Sequence, residues 1–430
     1  MNYITENNIQ TINKSHYKKA IMLIADGLGD RPIELLNGKT PAEFAQTPTL
    51  DFLCTEGSCG LVHPYKAGCC CGTDWGHLSL FGYDPKDFYT GRGSLEAISA
   101  GIKLETGDIA FRGNFATVTD DLIVLDRRAG RINDASEISQ LLAAISELEV
   151  DGCQFITKPL TEHRLAIVMR GSNLSSNIKA TDPGTAKEGE SVVNPSLNCN
   201  STEYQTAALL WKFLLKVKEI WDKHPVNQKR KISGLLPANI ILTRGCGAAM
   251  IVPPFQQSFP NCKVACIAGD DIILGIGKMC NFDSYTKPSF SGGFETDYQG
   301  KATLALELLA NYDLVIVHIK GPDLCGHDNL PLKKIKILEQ IDKMFAYWLT
   351  NINQENTYLS IIADHSTPCH YREHSADPVP CFLSGPFVRV DDVNRFGERY
   401  MSKGLLNNYT GSEFMKTVMD FMGFSQKYGD

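Results

Sequence analysis

Three apolar runs in this chain each close on an aspartate: AIMLIAD at Asp26, DLVIVHIKGPD at Asp323 and TYLSIIAD at Asp364. Two of them add a histidine, His327 four residues after Asp323 and His365 directly after Asp364. One such ending is weak, because an aspartate after a strand often caps the next helix. Three of them constrain the fold. Their length and β-branched content suit buried strands, and helical segments separate them. LPLKKIKILEQIDKMFAYWLTNI sets Ile335, Leu338, Ile341, Phe345 and Leu349 near one helical face. CKVACIAGDDIILGIGKMC reads as a strand and a helix, TDYQGKATLALELLANYD as a helix, and VPCFLSG as a last short strand. Strands alternating with long helices predict an α/β fold with a mostly parallel sheet flanked by helices. In such sheets ligands lie outside the carboxyl ends of the strands, so all five polar residues can meet.

Upstream, KKAIMLIADGLGD is the first strand of this pattern, GLVHP a short second one, and TPAEFAQTPTLDFLCTEG a helix capped by Thr40 and stopped at Gly57. The texture changes between about residues 106 and 259. Short strand-like pieces (IAFRGNFATVT, DLIVLDRR, CQFITK, RLAIVMRG) alternate there with helices at 136–148 and 206–221, and a polar loop spans 172–202. This predicts a smaller α+β domain inserted into a discontinuous one, 18–105 with 260–430, behind a polar extension at 1–17.

Lys and Arg number 42 against 49 Asp and Glu, a net charge of −7, which argues against a nucleic-acid partner. No apolar run is long enough for a bilayer span, and the first residues lack the apolar core of a signal peptide, so a cytoplasmic protein without a membrane partner is expected. The fourteen cysteines contain no CxxC pair. Cys69, Cys70 and Cys71 stand together, read either as small residues of a tight loop or as a thiol cluster for a soft metal; adjacent side chains rarely converge on one ion, which favours the loop.

The spacings point to metal chemistry. Asp323 and His327 fall on one helical face, whereas the side chains of Asp364 and His365 diverge, so that they face two ions or grip one from a bent loop. His374 lies further on, and five of the ten histidines fall between 318 and 374. Aspartate with imidazole suits Zn²⁺ or Mn²⁺, and two such ions about 3.5–4 Å apart clamp the oxygens of a phosphoryl transfer. Thr73, in CCCGTDWGHLSLFGYDP, is then either a helix cap or a nucleophile activated by metal at a helix N-terminus.

DGLGDRP, GKTPAEFAQTPTLDFL, GTDWGHLSLFGYDP, YTGRGSLEAISAGI, FRGNFATV, DRRAGRI, ETDYQGKA, VHIKGPDLCGHD and ADHSTP…HSADPVP follow one another in this order. Together they resemble the archaeal-type phosphoglycerate mutases that work without 2,3-bisphosphoglycerate, members of the alkaline phosphatase superfamily. The resemblance covers the chain from about residue 18. It implies an alkaline-phosphatase-like domain with an inserted substrate-clamping domain. It also implies one ion on Asp323, His327 and His374 and a second on Asp26, Thr73, Asp364 and His365. A phosphothreonine at Thr73 would carry the phosphoryl group between the two hydroxyls of glycerate. Anion clamps would come from Arg112, Arg127, Arg128, Arg131, Arg164 and Arg244, with Arg128 and Arg131 of DRRAGRI foremost. Asp182 is a candidate for moving the hydroxyl proton, His77 for supporting the site; His163 is open either way and His370 reads as a loop residue.

Two departures bear on substrate. The family's nucleophile is a serine, and threonine takes that place in phosphodiesterases of the superfamily. In the insert a family-like TDPH is TDPG, ending at Gly184, and the lysine expected at Leu274 is displaced to Lys278. Three other readings therefore stand beside the mutase: a metal-dependent phosphatase or phosphodiesterase, a mutase for another phosphorylated substrate, and a catalytically silent metal-binding protein.

Overall fold

The computed structural model describes residues 18–184, 187–197 and 201–427, so the 1–17 extension and parts of the 172–202 loop lie outside the described residues. Strands β1 (Lys19–Ala25) and β2 (Gly57–Val62) come first. Then follow β3 (Ile109–Val118), β4 (Val124–Asp126), β5 (Glu149–Val150), β6 (Cys153–Pro159), β7 (Arg164–Arg170) and β8 (Ile240–Ala248). The last five are β9 (Val264–Ile267), β10 (Asp283–Tyr285), β11 (Leu314–Ile319), β12 (Thr357–Ile362) and β13 (Val379–Ser384).

The chain divides into two compact units, residues 1–87 with 253–430, and 88–252. The sequence reading places these boundaries at 106 and 259. Helix Arg92–Ser99 packs on β3 and β8 and so belongs to the second unit. At the far end Phe255 meets Phe282 edge-on at 5.2 Å, which ties it to the first unit.

In the first unit seven strands run in the order β10-β9-β11-β1-β12-β13-β2. The first five are mutually parallel; β13 runs antiparallel to them beside β12, and β2, antiparallel to β13, again runs in their direction. The expected α/β architecture with a mostly parallel sheet is present. Strands β11, β1 and β12 lie side by side, with Ile24 level with His318 and with Ile362, so their carboxyl ends emerge together. The residues of β1, β11 and β12 are buried along nearly their full length, which is why they read as unbroken apolar runs.

The segment expected as one helix over 40–57 is two, Pro41–Phe44 and Pro48–Thr55. Thr40 does cap the first, in a capping box with Glu43. Pro48 lacks an N–H and its ring excludes the helical conformation from the residue before it, which breaks the run; Gly57 opens β2.

The second unit is an antiparallel sheet, β4-β3-β7-β6-β5 with β8 also on β3. Helix Ser201–Asp222 packs on it: Phe213 stacks on Phe155 at 3.9 Å and Trp221 on Phe115 at 5.3 Å. Strand β8 and helix Pro225–Ile232 had no counterpart in the sequence reading. Among the described residues no helix is long and apolar enough to cross a membrane.

Candidate active site

Asp26 follows β1 and is fully buried, and the turn after it uses Gly27 at φ 64°. A Cβ on Gly27 would stand 2.7 Å from the Asp323 backbone, so glycine lets the β1 and β11 ends approach. Asp323 and His327 sit on the short helix Gly321–His327, one turn apart as expected, with His327 Nε2 3.3 Å from Asp323 Oδ1. Asp364 and His365 follow β12, both buried. Thr73 is the first residue of helix Thr73–Leu80, and Gly72, not Thr73, is its N-cap. The threonine hydroxyl is thereby released from capping and lies 3.2 Å from His365 Nε2. Gly76 in that helix permits the contact: a Cβ there would be 2.2 Å from the Asp364 carbonyl oxygen.

All seven residues expected as metal ligands converge. On one side the Nε2 atoms of His327 and His374 are 3.2 Å apart and lie 3.3 and 3.4 Å from Asp323 Oδ1. Their Nδ1 atoms contact backbone carbonyls, Arg372 at 2.9 Å and Cys71 at 2.8 Å, so each donates there and leaves Nε2 facing inward. Metal-binding imidazoles are held in this way. On the other side His365 Nε2 lies 3.4 Å from Asp26 Oδ1 and 3.2 Å from Asp364 Oδ2. Thr367 uses its one proton on Asp323 Oδ1 at 2.8 Å, so His365 Nδ1 is the donor in the 3.0 Å contact with Thr367 Oγ1. Two sets of donor atoms, Asp323, His365 and His374, and Asp26, Asp364 and His365, each fall within 4.8 Å. Asp26 Oδ1 and Asp364 Oδ2 are buried without a hydrogen-bond partner. Two orphaned carboxylate oxygens aimed at one imidazole nitrogen are what a divalent cation satisfies, so the donor set fits metal.

The titrations carry the same charge pattern. Burial opposes ionisation of Asp323, yet bonds from His327 and His374 hold it well below the carboxylate range. His327 is pushed up to about 9, first by its bond to Asp323. Burial likewise opposes charge on Asp364, but His365 and His77 keep its pKa low. His77 is completely buried, 2.7 Å from the Thr73 carbonyl and 3.3 Å from Asp364 Oδ2, which is a supporting position.

Two residues here escaped the sequence reading. Lys320 places Nζ 2.9 Å from Asp26 Oδ2, 2.7 Å from Asp323 Oδ2 and 3.4 Å from Thr73 Oγ1. Burial disfavours its charge, but the two aspartates raise its pKa above the ordinary value. His318 contacts Asp26 Oδ2 at 3.0 Å. Both stand inside VHIKGPD, and a polar residue closing a buried strand was the available signal.

In the second unit the expected arginines differ in burial and in partners. Arg112 and Arg244 lie opposite each other on β3 and β8, and Arg164 opposes Asn114 across β3 and β7. Burial lowers the Arg112 pKa to about 10, with Glu96 working against that and Arg164, Arg244 and Arg92 adding to it. Arg112 Nε, Arg164 Nε, Asn114 Oδ1, His163 Nδ1 and Glu96 Oε2 are buried without hydrogen-bond partners. Burial and then Arg164 and Arg128 depress His163 to about 4. This is a cationic cluster with unsatisfied donors. Arg127 is held by a carboxylate: its Nε and Nη2 grip Asp182 at 2.8 and 2.5 Å, and the same carboxylate acts on Arg244. Burial opposes charge on Asp182, but Arg127 and the Gly184 N–H hold its pKa down. Arg128 and Arg131, foremost in the sequence reading, are exposed on the turn after β4. Gly184 has φ 117°, a conformation that strains a histidine. Lys278 is exposed, as is His370.

Relatives carry the same frame. A family model for 2,3-bisphosphoglycerate-independent phosphoglycerate mutase matches residues 54–227. A mutase of that description from Methanocaldococcus jannaschii is 43% identical over 412 residues, 96% of this chain and 99% of the relative. One from Pyrococcus abyssi is 41% identical over 413 residues, 96% and 99%. A solved structure from Pyrococcus horikoshii superposes with TM-score 0.81 at 35% identity, covering 96% of this chain and all (100%) of the other. The cofactor-independent phosphoglycerate mutase of Thermoplasma acidophilum gives 0.72 at 32%, covering 94% and 100%. With nearly full-length identity above two-fifths, this chain belongs to the 2,3-bisphosphoglycerate-independent phosphoglycerate mutase family.

Proposed function

We propose that this protein interconverts 3-phosphoglycerate and 2-phosphoglycerate through a phosphothreonine, with no 2,3-bisphosphoglycerate. The observation that supports it most is the Thr73 hydroxyl at the first turn of its helix, 3.2 Å from His365 and 3.4 Å from Lys320. Asp323, His327 and His374 are the ligands for one divalent ion, and Asp26, Thr73, Asp364 and His365 for another. Mn²⁺ or Zn²⁺ bound there supplies Lewis-acid chemistry, lowering the pKa of the hydroxyl and drawing charge from the phosphoryl oxygens.

The chain's own groups do the rest. Thr73 Oγ gives up its proton and bonds to phosphorus, the P–O3 bond breaks, and glycerate O3 keeps the bonding electrons and takes up a proton. The glycerate O2 then attacks phosphothreonine, loses its proton, and returns Thr73 to a hydroxyl. The Lys320 ammonium neutralises charge at Thr73 and on the phosphoryl oxygens. Asp182, with both oxygens accepting from Arg127, orients that guanidinium. Arg112, Arg164 and Arg244 bind the anionic groups of glycerate and phosphate, since a planar guanidinium matches both.

Phosphorus NMR of the Mn²⁺-loaded protein with 3-phosphoglycerate tests the proposal. A 2-phosphoglycerate resonance should appear, vanish with EDTA and return with Mn²⁺. Release of inorganic phosphate alone would make the protein a phosphatase, and an unchanged spectrum would rule out this substrate. Arg164→Ala should raise KM roughly 10- to 100-fold, from the loss of charge-assisted hydrogen bonds of about 1.5–3 kcal/mol, whereas Arg131→Ala should change it less than about threefold. Equal effects in steady-state kinetics would contradict the division of the arginines.

A further inference from the structure

The cysteine triplet has no part in the reaction above, yet it lies on the loop that delivers the nucleophile. Among the described residues thirteen cysteines are free; Cys69 and Cys70 are exposed, Cys246 is partly covered and the other ten are buried. The two exposed thiols are adjacent, so a bond between them is disfavoured: consecutive Cα atoms stand about 3.8 Å apart, short of the usual disulfide range. Both are open to a small external reagent, but burial and then the Glu373 carboxylate raise the Cys70 thiol pKa, so Cys69 is the readier of the two. Cys69 donates its N–H to the Lys66 carbonyl at 3.0 Å, in a turn that also exposes the Lys66 ammonium, a cation suited to an anionic reagent. On the inner side of the same loop the Cys71 carbonyl accepts from His374 Nδ1 at 2.8 Å. Three residues after Cys70 comes Thr73.

We propose that Cys69 and Cys70 form a thiol-modification site that controls the reaction, taking an anionic low-molecular-weight disulfide of the glutathione class. In the exchange a cysteine thiolate attacks one sulfur of the reagent disulfide, the protein–reagent S–S bond forms, the reagent S–S bond breaks, and its second half leaves as a thiolate. No other oxidant enters. The added tripeptide-sized group must be accommodated by the loop, and moving the Cys71 carbonyl takes from His374 the acceptor that turns its Nε2 inward. Modification therefore lowers both metal affinity and turnover, and a reducing thiol restores them.

The full-length protein is treated with oxidised glutathione under native conditions, and adducts are mapped by peptide mass spectrometry. Mn²⁺ affinity is measured by calorimetry before and after, alongside turnover of 3-phosphoglycerate. The expected result is adduct on Cys69 or Cys70 well ahead of the other cysteines, a loss of Mn²⁺ affinity of at least tenfold, and recovery with dithiothreitol. The Cys69→Ser/Cys70→Ser protein should bind Mn²⁺ as the parent does and resist the reagent. Adducts elsewhere first, unchanged Mn²⁺ affinity after full modification, or equal sensitivity of the double variant would each overturn the proposal. The inference rests on the metal site of the proposed function, but mapping and calorimetry do not need the substrate. A protein inert towards 3-phosphoglycerate that still shows the selective adduct and weakened Mn²⁺ binding would sink the mutase reading alone.

Discussion

Thr73→Ala should lower kcat for mutase turnover roughly 10⁴- to 10⁶-fold, the range seen when a covalent nucleophile is removed and the rest of a site is left intact. The loss has a structural reason. Asp74 cannot substitute, because it is one residue further on and its Oδ1 already accepts from the Trp75 N–H at 2.9 Å. Gly72 caps the helix without a side chain, so the alanine variant should keep its fold. Thr73→Ser should retain turnover within about tenfold, since it presents the same hydroxyl at the same first turn. The check is a rapid-quench single turnover with intact-protein mass spectrometry. Parent and serine variant should show a phosphoprotein that the alanine variant lacks. Phosphoprotein in Thr73→Ala, or more than about one per cent residual turnover, would remove Thr73 from the chemistry.

The strands that carry this site were legible because parallel strands covered on both faces must be continuously apolar. Their polar terminators stand out against such runs, and neighbouring strand order brings Asp26, Asp323 and Asp364 together. The break at Pro48 was equally available, yet a helix-like apolar spacing across 40–57 masked it. Strand β8 was not legible: ANIILTRGCGAA offers only four apolar residues before Arg244 and two glycines, and its register on β3 comes from tertiary pairing.

For the arginines, the short motif and the fold draw attention to different residues. DRRAGRI directs attention to Arg128 and Arg131, but a turn leaves both in solvent, while β pairing buries Arg112 among other cations. Which way a strand residue points depends on register, and register across distant strands is not written in a short motif. Lys320 shows the same limit. It was visible inside VHIKGPD, but its reach to Asp26 and Thr73 depends on the turn between β11 and the next helix.

Lys334→Met should destabilise the first unit by about 3–5 kcal/mol, the cost of breaking a buried ion pair from one side. Lys334 is wholly buried and Asp30 nearly so, with Nζ 2.9 Å from Asp30 Oδ2. The same ammonium donates to the carbonyls of Gly29 at 3.3 Å and Thr367 at 3.1 Å, so all three of its protons are used. Methionine fills a similar volume but leaves a carboxylate and two carbonyls without that donor. The Arg31 and Cys369 N–H groups still reach Asp30, which keeps the cost within this range rather than above it. Asp30→Asn in the Lys334→Met background should recover part of the loss by removing the stranded charge. The effect should also reach the site, because Thr367 joins His365 Nδ1 to Asp323 Oδ1 and Lys334 fixes the Thr367 backbone. Urea titration and calorimetric Mn²⁺ binding measure the two consequences separately. A stability loss below about 1 kcal/mol would mean that the remaining N–H donors suffice for Asp30 and that the lysine is dispensable. A full loss with unaltered Mn²⁺ affinity would confine Lys334 to holding the fold and leave Thr367 to position His365 unaided.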